Sequence, residues 1–367
     1  MKTIQTMTAV GALLALTVPS AANAEVVMGL AIGITGDCAA IGQQARLGAE
    51  TAVADINKAG GINGEQVRIE LGDDACDPKQ AVAVANQFVS GDVDFVVGHL
   101  YSGASIAASD VYAEEDILMI SGSATAPALT ERGLPYVFRG AGRDDQQGTV
   151  AANLIAEQHG DKKIAVLHDK GAYGKGLADE VEKTLREKGI TPAVTDSITA
   201  GEQDYSAVVS KLKTAGVEVI YYGGYYPEAG LLLRQAKEQS YSPLIIGADG
   251  LQATDLWAIA GDAANGTLFT FSPDPSQIPE AQPLMTRLKE EGAQPDNFAF
   301  NYYATVQAAA EAAKIAGSTD AEAMAKALRN NEFDTVIGKL SFDDKGDLTD
   351  PAYVIYEWRD GQSRVLN

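Results

Sequence analysis

Short apolar runs alternate with helical patterns along the first third of the chain. The runs VVMGLAIGI, VRIEL, VDFVVGH and ILMIS are separated by segments of helical period, such as ARLGAETAVADINKAG and KQAVAVANQFVS. Alternation of this kind is typical of βαβ units in a parallel sheet. It predicts one doubly wound α/β sheet in this part of the protein.

A second series of the same kind predicts a second sheet. It begins at KIAVLHD (163–169) and continues through VEVIYYGGYY (217–226) and PLIIGADG (243–250). Between and after these runs, RGAGRDDQQG (139–148) lacks apolar periodicity, and FSPDPSQIPE (271–280) contains three prolines that interrupt regular structure. We therefore expect two lobes, with a chain that crosses between them more than once, as in a hinge.

The first 24 residues have the pattern of a secretory signal peptide. Lys2 precedes an apolar segment, and Ala22-Asn23-Ala24 fits an A-x-A cleavage site. We expect cleavage after Ala24 and export of the remaining chain. No later segment approaches the roughly 20 apolar residues of a spanning helix.

Charge and size narrow the possible partners. The chain has 28 basic and 50 acidic residues, a net charge of −22. Such an acidic protein repels phosphate backbones, so we expect no nucleic-acid binding. A length of 367 residues is more than one core usually fills and is consistent with two domains.

Cysteine and histidine positions give no sign of metal chemistry. Export favours a disulfide between the two cysteines, Cys38 and Cys76, although two free thiols remain the alternative. These cysteines and the three histidines are too scattered for a zinc site.

Catalytic motifs are also missing from the sequence. There is no G-x-S-x-G, H-E-x-x-H or P-loop, and AIGITG (31–36) matches the dinucleotide fingerprint only without its first glycine. We interpret His99 as a hydrogen-bonded residue at a strand end. We assign the neighbouring His168 and Asp169 a structural role, because neighbours on a strand point apart.

Small hydroxyl residues are concentrated at one predicted strand end, ILMISGSATAPALT (117–130). In parallel sheets, ligands bind beyond the carboxyl ends of the strands. Ser102 and Thr125 follow neighbouring strands, where together with helix N-termini they are suited to bind a carboxylate. Taken singly, each hydroxyl is more typical of a helix N-cap.

Charge and aromatic residues follow the strands of the second series. Asp249 is placed to bind an ammonium group, although an aspartate there is also common in turns. Tyr173 and Tyr225 offer flat apolar walls with a polar edge, or simply pack under a loop.

At these residues the sequence resembles the periplasmic leucine/isoleucine/valine-binding protein family. The matching segments run in order over essentially the whole chain after residue 24, and they include GAETAVADINKAGGINGEQV, DDACDPKQAVAVAN, GHLYS, ILMISGSATAPALT, HDKGAYGKGLA, SITAGEQDYS, YYGGYYPEAG and KGDLTDPAYVIYEW. The resemblance implies an α/β fold of two Rossmann-like doubly wound lobes joined by a three-strand hinge, the type I periplasmic binding protein fold. We accordingly divide the chain into a signal peptide (1–24), lobe 1 (25–142 and 273–350) and lobe 2 (143–272 and 351–367).

The resemblance also implies roles for individual residues. Ser102 and Thr125 match residues that bind the carboxylate of an amino acid, and Ser123 matches one whose main-chain carbonyl binds the ammonium. Asp249 stands where the family usually has a longer glutamate that pairs with the ammonium. Tyr173 and Tyr225 match ligand contacts from the second lobe, and Leu100 matches a residue of the pocket for the ligand side chain.

Two departures from the family concern the pocket for the ligand side chain. Ile41 stands where the family has Tyr, and Tyr101 stands where it has a Cys bridged to the counterpart of Cys76. Because Cys38 is present instead, the comparison implies that the bridge has moved to Cys38–Cys76. These departures leave undetermined which ligand side chain the pocket prefers.

The resemblance implies a monomeric periplasmic receptor that binds an amino acid, expected to be branched and aliphatic. It would deliver this ligand to an inner-membrane ABC permease without catalysis, cofactor or metal. The alternatives are a receptor for another small polar ligand, such as an amide, urea or a γ-amino acid, an exported α/β enzyme, and a sensor subunit.

Overall fold

The first of two large β-sheets is parallel throughout. The computed structural model describes residues 25–366. The strands of the first sheet are β1 (Glu25–Ala31), β2 (Gln66–Gly72), β3 (Phe95–Gly98), β4 (Leu118–Ser121) and β5 (Val137–Arg139). Their order in space is β2-β1-β3-β4-β5. Because the chain runs outward from β1 in both directions, this sheet is doubly wound, as the sequence predicts.

The second sheet has five parallel strands and an antiparallel edge. Its strands are β6 (Ile164–His168), β7 (Val194–Ser197), β8 (Val219–Gly223), β9 (Leu244–Gly247), β10 (Leu268–Phe271), β13 (Val354–Arg359) and β14 (Gln362–Val365), and β11 (Phe333–Thr335) and β12 (Gly338–Leu340) form a separate hairpin. The order in space is β14-β13-β10-β9-β8-β6-β7, with β13 antiparallel to both of its neighbours. The predicted second sheet is therefore confirmed, and the antiparallel edge is an addition to it.

Helices cover both sheets. They are α1 (Ala39–Lys58), α2 (Pro78–Ser90), α3 (Ser102–Glu114), α4 (Ala128–Glu131), α5 (Asp144–His159), α6 (Ala172–Glu187), α7 (Ser206–Ala215), α8 (Tyr226–Glu238), α9 (Thr254–Ala260), α10 (Gln282–Glu290), α11 (Asn297–Ala316) and α12 (Ala321–Asn330). Local chemistry explains several boundaries. At α2, for example, Asp77 accepts hydrogen bonds from the backbone of Lys79 and Gln80, and Pro78 takes the first helical position.

The chain passes between the two sheets three times within residues 25–366. The first passage joins β5 to α5, which packs on α6 beside the second sheet. The second returns from β10 to α11, which packs on α1 beside the first sheet. The third leads from β12 to β13. Three connections are what the predicted hinge requires.

The structure defines two segment ends that the sequence left approximate. The first crossing was predicted within 139–148, and the connection from β5 to α5 lies inside that segment, ending at Arg143 because Asp144 is the first residue of α5. The first strand ends at Ala31 instead of continuing to Ile34. The predicted signal peptide (1–24) lies outside the described residues.

Candidate functional site

The carboxyl ends of the strands bring the predicted site residues together around two adjoining cavities. Eight predicted residues line the first, of about 10 Å³: Ile41, Leu100, Tyr101, Ser102, Ser123, Tyr173, Tyr225 and Asp249. We call this the tyrosine-side pocket. The ninth, Thr125, lines a cavity of about 140 Å³ that also has Ser123 and Asp249 in its wall. We call this the hinge-side cavity, because all three inter-sheet connections contribute to it.

Two tyrosines meet across the cleft between the sheets. Tyr101 follows β3 and Tyr225 follows β8. Their rings are nearly parallel, with centroids 3.7 Å apart and planes inclined by 3°. Tyr173 packs on the same ring of Tyr225 with a centroid distance of 4.8 Å. The stack brings the two lobes into contact and leaves little room in the tyrosine-side pocket.

The hydroxyls after β4 fix the shape of their own loop. Ser121 Oγ donates to the carbonyl of His99 at 2.7 Å and accepts from the Ala124 N–H at 2.9 Å. Ser123 Oγ donates to the carbonyl of Leu100 at 2.6 Å. These bonds tie the loop to the end of β3. The small polar residues concentrated after β4 therefore serve partly to hold this loop in place.

Ser102 and Thr125 differ in how much hydrogen-bonding capacity they retain. Ser102 Oγ accepts from the Ala126 N–H at 3.2 Å, which leaves its proton free to donate. Thr125 is 4% exposed, and its Oγ1 has no hydrogen-bond partner among the described residues. A buried hydroxyl without a partner is costly, so this atom is poised to bind a polar ligand group.

Neither residue is an N-cap, which was the alternative interpretation of each. Ser102 is the first residue of α3, whose N-cap is Tyr101. Thr125 precedes α4, a single turn of helix that is capped by Pro127. The expectation of two helix N-termini at this site is therefore only half met, because α4 is too short to have a useful dipole.

The Asp249 carboxylate accepts a hydrogen bond from a tyrosine that is itself held by the neighbouring backbone. The Tyr173 hydroxyl accepts from the Gly250 N–H and donates to Asp249 Oδ1, both at 2.9 Å. The carboxyl group is buried, and burial raises its pKa to about 6, while the Tyr173 hydrogen bond opposes the rise. A cation beside Asp249 would stabilise the ionised form.

Asp144 is a buried acid that sequence reasoning missed. It is 1% exposed, and neither carboxylate oxygen has a hydrogen-bond partner among the described residues. Burial, and then the charge of Asp249, raise the pKa of Asp144 well above its usual value. The Thr125 hydroxyl lies near enough to oppose this rise, but without hydrogen-bond geometry.

A buried arginine supports the same region. The Arg139 guanidinium donates to the carbonyls of Ala124 and Ala126, each at 3.0 Å, and to the Asp347 carboxylate at 2.6 Å. Arg143 also donates to Asp347, at 2.6 Å. The loop that carries Thr125 is therefore attached to two of the three inter-sheet connections.

His99 is fully buried and hydrogen-bonded at both ring nitrogens. Nδ1 lies 2.5 Å from Asp74 Oδ2, and Nε2 lies 3.0 Å from the Tyr112 hydroxyl. The interpretation of His99 as a hydrogen-bonded structural residue is confirmed. Within residues 25–366 we find no group of three or more His, Cys, Asp or Glu side chains suited to hold a metal ion.

The predicted Cys38–Cys76 disulfide is confirmed, with Cα atoms 6.4 Å apart. Cys38 directly precedes α1, so the bridge fixes the first turn of that helix, which contains Ile41. Gly33 is required beside it, because a Cβ there would collide with both sulfur atoms.

Comparisons with known proteins place this geometry in one family. The profile of the family described as periplasmic binding protein matches residues 25–363. The chain is 48% identical over 345 residues to a Leu/Ile/Val-binding protein homolog 1 of Brucella suis, covering 94% of this chain and 93% of the relative. None of the helices described here is both long and apolar enough to cross a membrane.

Two solved structures share the fold over nearly the whole chain. One is a leucine-binding protein LivK from Thermotoga maritima, with a TM-score of 0.86, 26% identity, and coverage of 93% of this chain and 98% of that one. The other is the branched-chain amino-acid transporter substrate-binding protein LivJ from Streptococcus pneumoniae in complex with isoleucine. It has a TM-score of 0.84, 28% identity, and coverage of 94% and 99%.

Proposed function

Because the chain belongs to the periplasmic binding protein family, we propose that it binds a free α-amino acid between its two lobes for an ABC importer. A branched aliphatic amino acid is the first candidate, since that is what the names of its relatives indicate. The observation that carries the proposal is the buried Asp249, which shares the wall of the hinge-side cavity with Ser123 and Thr125. One carboxylate thus lies beside several hydroxyls, which matches a zwitterion.

The roles of the residues follow from their remaining hydrogen-bonding capacity. Ser102 and Thr125 each have a hydroxyl proton without an acceptor, so they bind the ligand carboxylate. Asp249 pairs with the ammonium, and the main-chain carbonyl of Ser123 accepts a second ammonium hydrogen bond. Hydrogen bonds to charged groups contribute roughly 1.5–3 kcal/mol each. Several of them support micromolar or tighter affinity, about −8 kcal/mol.

The cellular setting and the lobe boundaries are part of the same proposal. We place the protein in the periplasm as a monomer, after removal of residues 1–24, with an inner-membrane permease as its partner. Lobe 1 comprises 25–142 and 273–350, and lobe 2 comprises 143–272 and 351–367. Closure of these lobes around the ligand is the functional step, and no catalytic step is proposed.

Thermal unfolding with matched ligands tests the two-charge site. L-leucine should raise the melting temperature, because a ligand that binds only the native state stabilises it. Isoamylamine lacks the carboxylate and isocaproate lacks the ammonium, so neither should match L-leucine at equal concentration. Equal stabilisation by either analogue would contradict the proposal. γ-Aminobutyrate and urea belong in the same series, because either one stabilising the protein more than L-leucine would favour another class of ligand.

A further inference from the structure

The backbone around Thr125 is held at three successive carbonyl groups. Arg139 Nη1 donates to the carbonyls of Ala124 and Ala126, each at 3.0 Å. The Thr125 carbonyl between them accepts from the N–H of Asp144, the first residue of α5, at 3.0 Å. Because these partners lie outside the loop, they determine where the Thr125 hydroxyl points.

The charge of Arg139 is balanced by one buried carboxylate. The Arg139 side chain is fully buried, and its Nε donates to Asp347 Oδ1 at 2.6 Å. Its Nη2 donates to the Thr130 hydroxyl at 2.7 Å, and this hydroxyl donates to the same Asp347 oxygen at 2.8 Å. A buried charge that loses its partner is strongly destabilising, so the placement of Arg139 depends on Asp347.

The second oxygen of Asp347 reaches the hinge. Asp347 Oδ2 accepts from Arg143 Nη1 at 2.6 Å, and Arg143 also donates to both oxygens of Asp145 in the first turn of α5, at 3.1 and 2.8 Å. Asp347 lies in the connection from β12 to β13, whereas Arg143 ends the connection from β5 to α5. Burial opposes ionisation of Asp347, but Arg139, Arg143 and Thr130 together hold its pKa below the usual value. We call Arg139, Asp347 and Arg143 the hinge network.

Two contacts join the start of α5 to the residues around the carboxylate site. One is the ion pair of Arg143 with Asp347, and the other is the hydrogen bond from the Asp144 N–H to the Thr125 carbonyl. Rotation of the lobes about the hinge moves α5 relative to the first sheet, so both contacts depend on the hinge angle. Both are formed here, where the lobes are in contact through the tyrosine stack. Lobe closure is therefore linked to the backbone of Thr125.

We propose that Asp347, acting through Arg139, is a positioning residue that holds the Thr125 hydroxyl in place for the ligand carboxylate, and that Arg143 couples this placement to the hinge. This inference rests on the proposed function, since it requires a carboxylate at Thr125. None of the three residues of the hinge network lines the tyrosine-side pocket or the hinge-side cavity, so they act without touching the ligand. Their contribution to affinity passes through Thr125.

Calorimetric titration of L-leucine into a double-mutant cycle tests this dependence. Thr125→Val removes the hydroxyl but keeps the shape of the side chain, and it should weaken binding about tenfold or more. Asp347→Asn should weaken binding about tenfold in the otherwise unmodified protein but less than about threefold in the Thr125→Val background, because the hydroxyl that it positions is already gone. Losses that multiply in the double variant would overturn the positioning role and leave the proposed function intact. No loss from Thr125→Val would overturn both.

An ion pair elsewhere in the protein provides the matched control. Arg287 donates to both oxygens of Asp55, at 2.7 and 2.5 Å, and neither residue lines the two cavities. Asp55→Asn should destabilise the protein but change L-leucine affinity less than about twofold, with or without Thr125→Val. A loss of affinity as large as that of Asp347→Asn would assign the effect to general stability and overturn the proposal.

A milder variant tests the link to the hinge, and it also serves if Asp347→Asn does not fold. Arg143→Gln leaves the buried pair of Arg139 and Asp347 intact and removes only the outer ion pair, in which Arg143 is partly exposed. It should weaken L-leucine binding about threefold or more, and this loss should disappear in the Thr125→Val background. Circular dichroism shows whether each variant is folded before titration. An equal loss in both backgrounds, or no loss in either, would overturn the coupling to the hinge.

Discussion

Buried polar groups on the two sides of the cleft differ in how fully they are hydrogen-bonded. On the side of the first sheet, Ser121, Ser123 and His99 are hydrogen-bonded within the protein, whereas the Tyr101 and Thr125 hydroxyls have no partner among the described residues. On the side of the second sheet, Asp144 is buried without a partner, and Asp249 has a raised pKa. The hydrogen-bonded network of the first side is therefore preorganised, whereas the buried acids of the second side lack a compensating positive charge.

The difference has an energetic meaning. Hydroxyl groups that are already hydrogen-bonded within the protein make the site rigid, and they need no rearrangement when a ligand binds. A buried carboxyl group without a cation is either protonated or destabilising, and an ammonium group relieves that cost. We expect changes in the hydrogen-bonded network and the disulfide of the first side to alter stability more than affinity, and changes at the buried acids of the second side to alter affinity and its pH dependence.

The largest expected effect comes from breaking the scaffold at the disulfide. Replacing both Cys38 and Cys76 by Ser removes a cross-link between residues 38 positions apart, which should lower the free energy of unfolding by about 4 kcal/mol on the chain-entropy model. Affinity should weaken much less, because neither cysteine is in the charge-binding site. Urea unfolding and calorimetric titration of the same samples measure the two quantities. A loss of affinity as large as the loss of stability would contradict the division between the two sides.

Sequence reasoning predicted the parts of this molecule that depend on local patterns. The alternation of strands and helices places Ser123, Asp249 and Tyr225 at strand ends, because apolar periodicity is a property of neighbouring residues. It missed Asp144, since an acid in the first turn of a helix looks like an ordinary dipole contact. The burial of Asp144 depends on strands distant in the chain.

Another feature also depends on tertiary arrangement. The Tyr101–Tyr225 stack depends on how the two lobes meet, so the replacement of a family cysteine by Tyr101 predicted added bulk but not its partner. The sequence thus predicted the elements of the site, while the free volume between them required the structure.

The next largest effect is expected at Asp249. The folded pKa is about 6, above the 3.8 of an unperturbed aspartate, so the group favours folding below pH 4 and this contribution is lost as the pH rises through 6. At pH 7, Asp249→Asn should therefore stabilise the free protein by about 3 kcal/mol. It should also weaken L-leucine binding about 100-fold, because the ammonium loses its charged partner.

Two controls distinguish this effect from a general change in charge. Asp255→Asn, at an exposed position in the first turn of α9, should lower stability by less than about 1 kcal/mol and leave affinity unchanged. The stability gain from Asp249→Asn should largely disappear at pH 4, where the native carboxyl is already protonated and the unfolded one is only partly ionised. Melting curves at pH 4 and pH 7 measure this, and a gain of equal size at both would assign it to packing instead of charge.

The smallest effect is expected at the contact that joins the two sides. A stacked aromatic pair contributes about 0.5–1.5 kcal/mol beyond its buried area. Because Tyr101 and Tyr225 belong to different lobes, this contribution acts on the closed form alone and biases the closure equilibrium by roughly fivefold. Tyr101→Leu and Tyr225→Leu should each weaken L-leucine binding, and the double variant should weaken it by less than the sum, with a coupling of about 1 kcal/mol. Tyr101→Phe keeps the ring and should behave like the unmodified protein. The two single variants and the double variant form a double-mutant cycle. If their losses of binding free energy are additive, and small-angle scattering shows an unchanged radius of gyration, the stack does not help to hold the cleft closed.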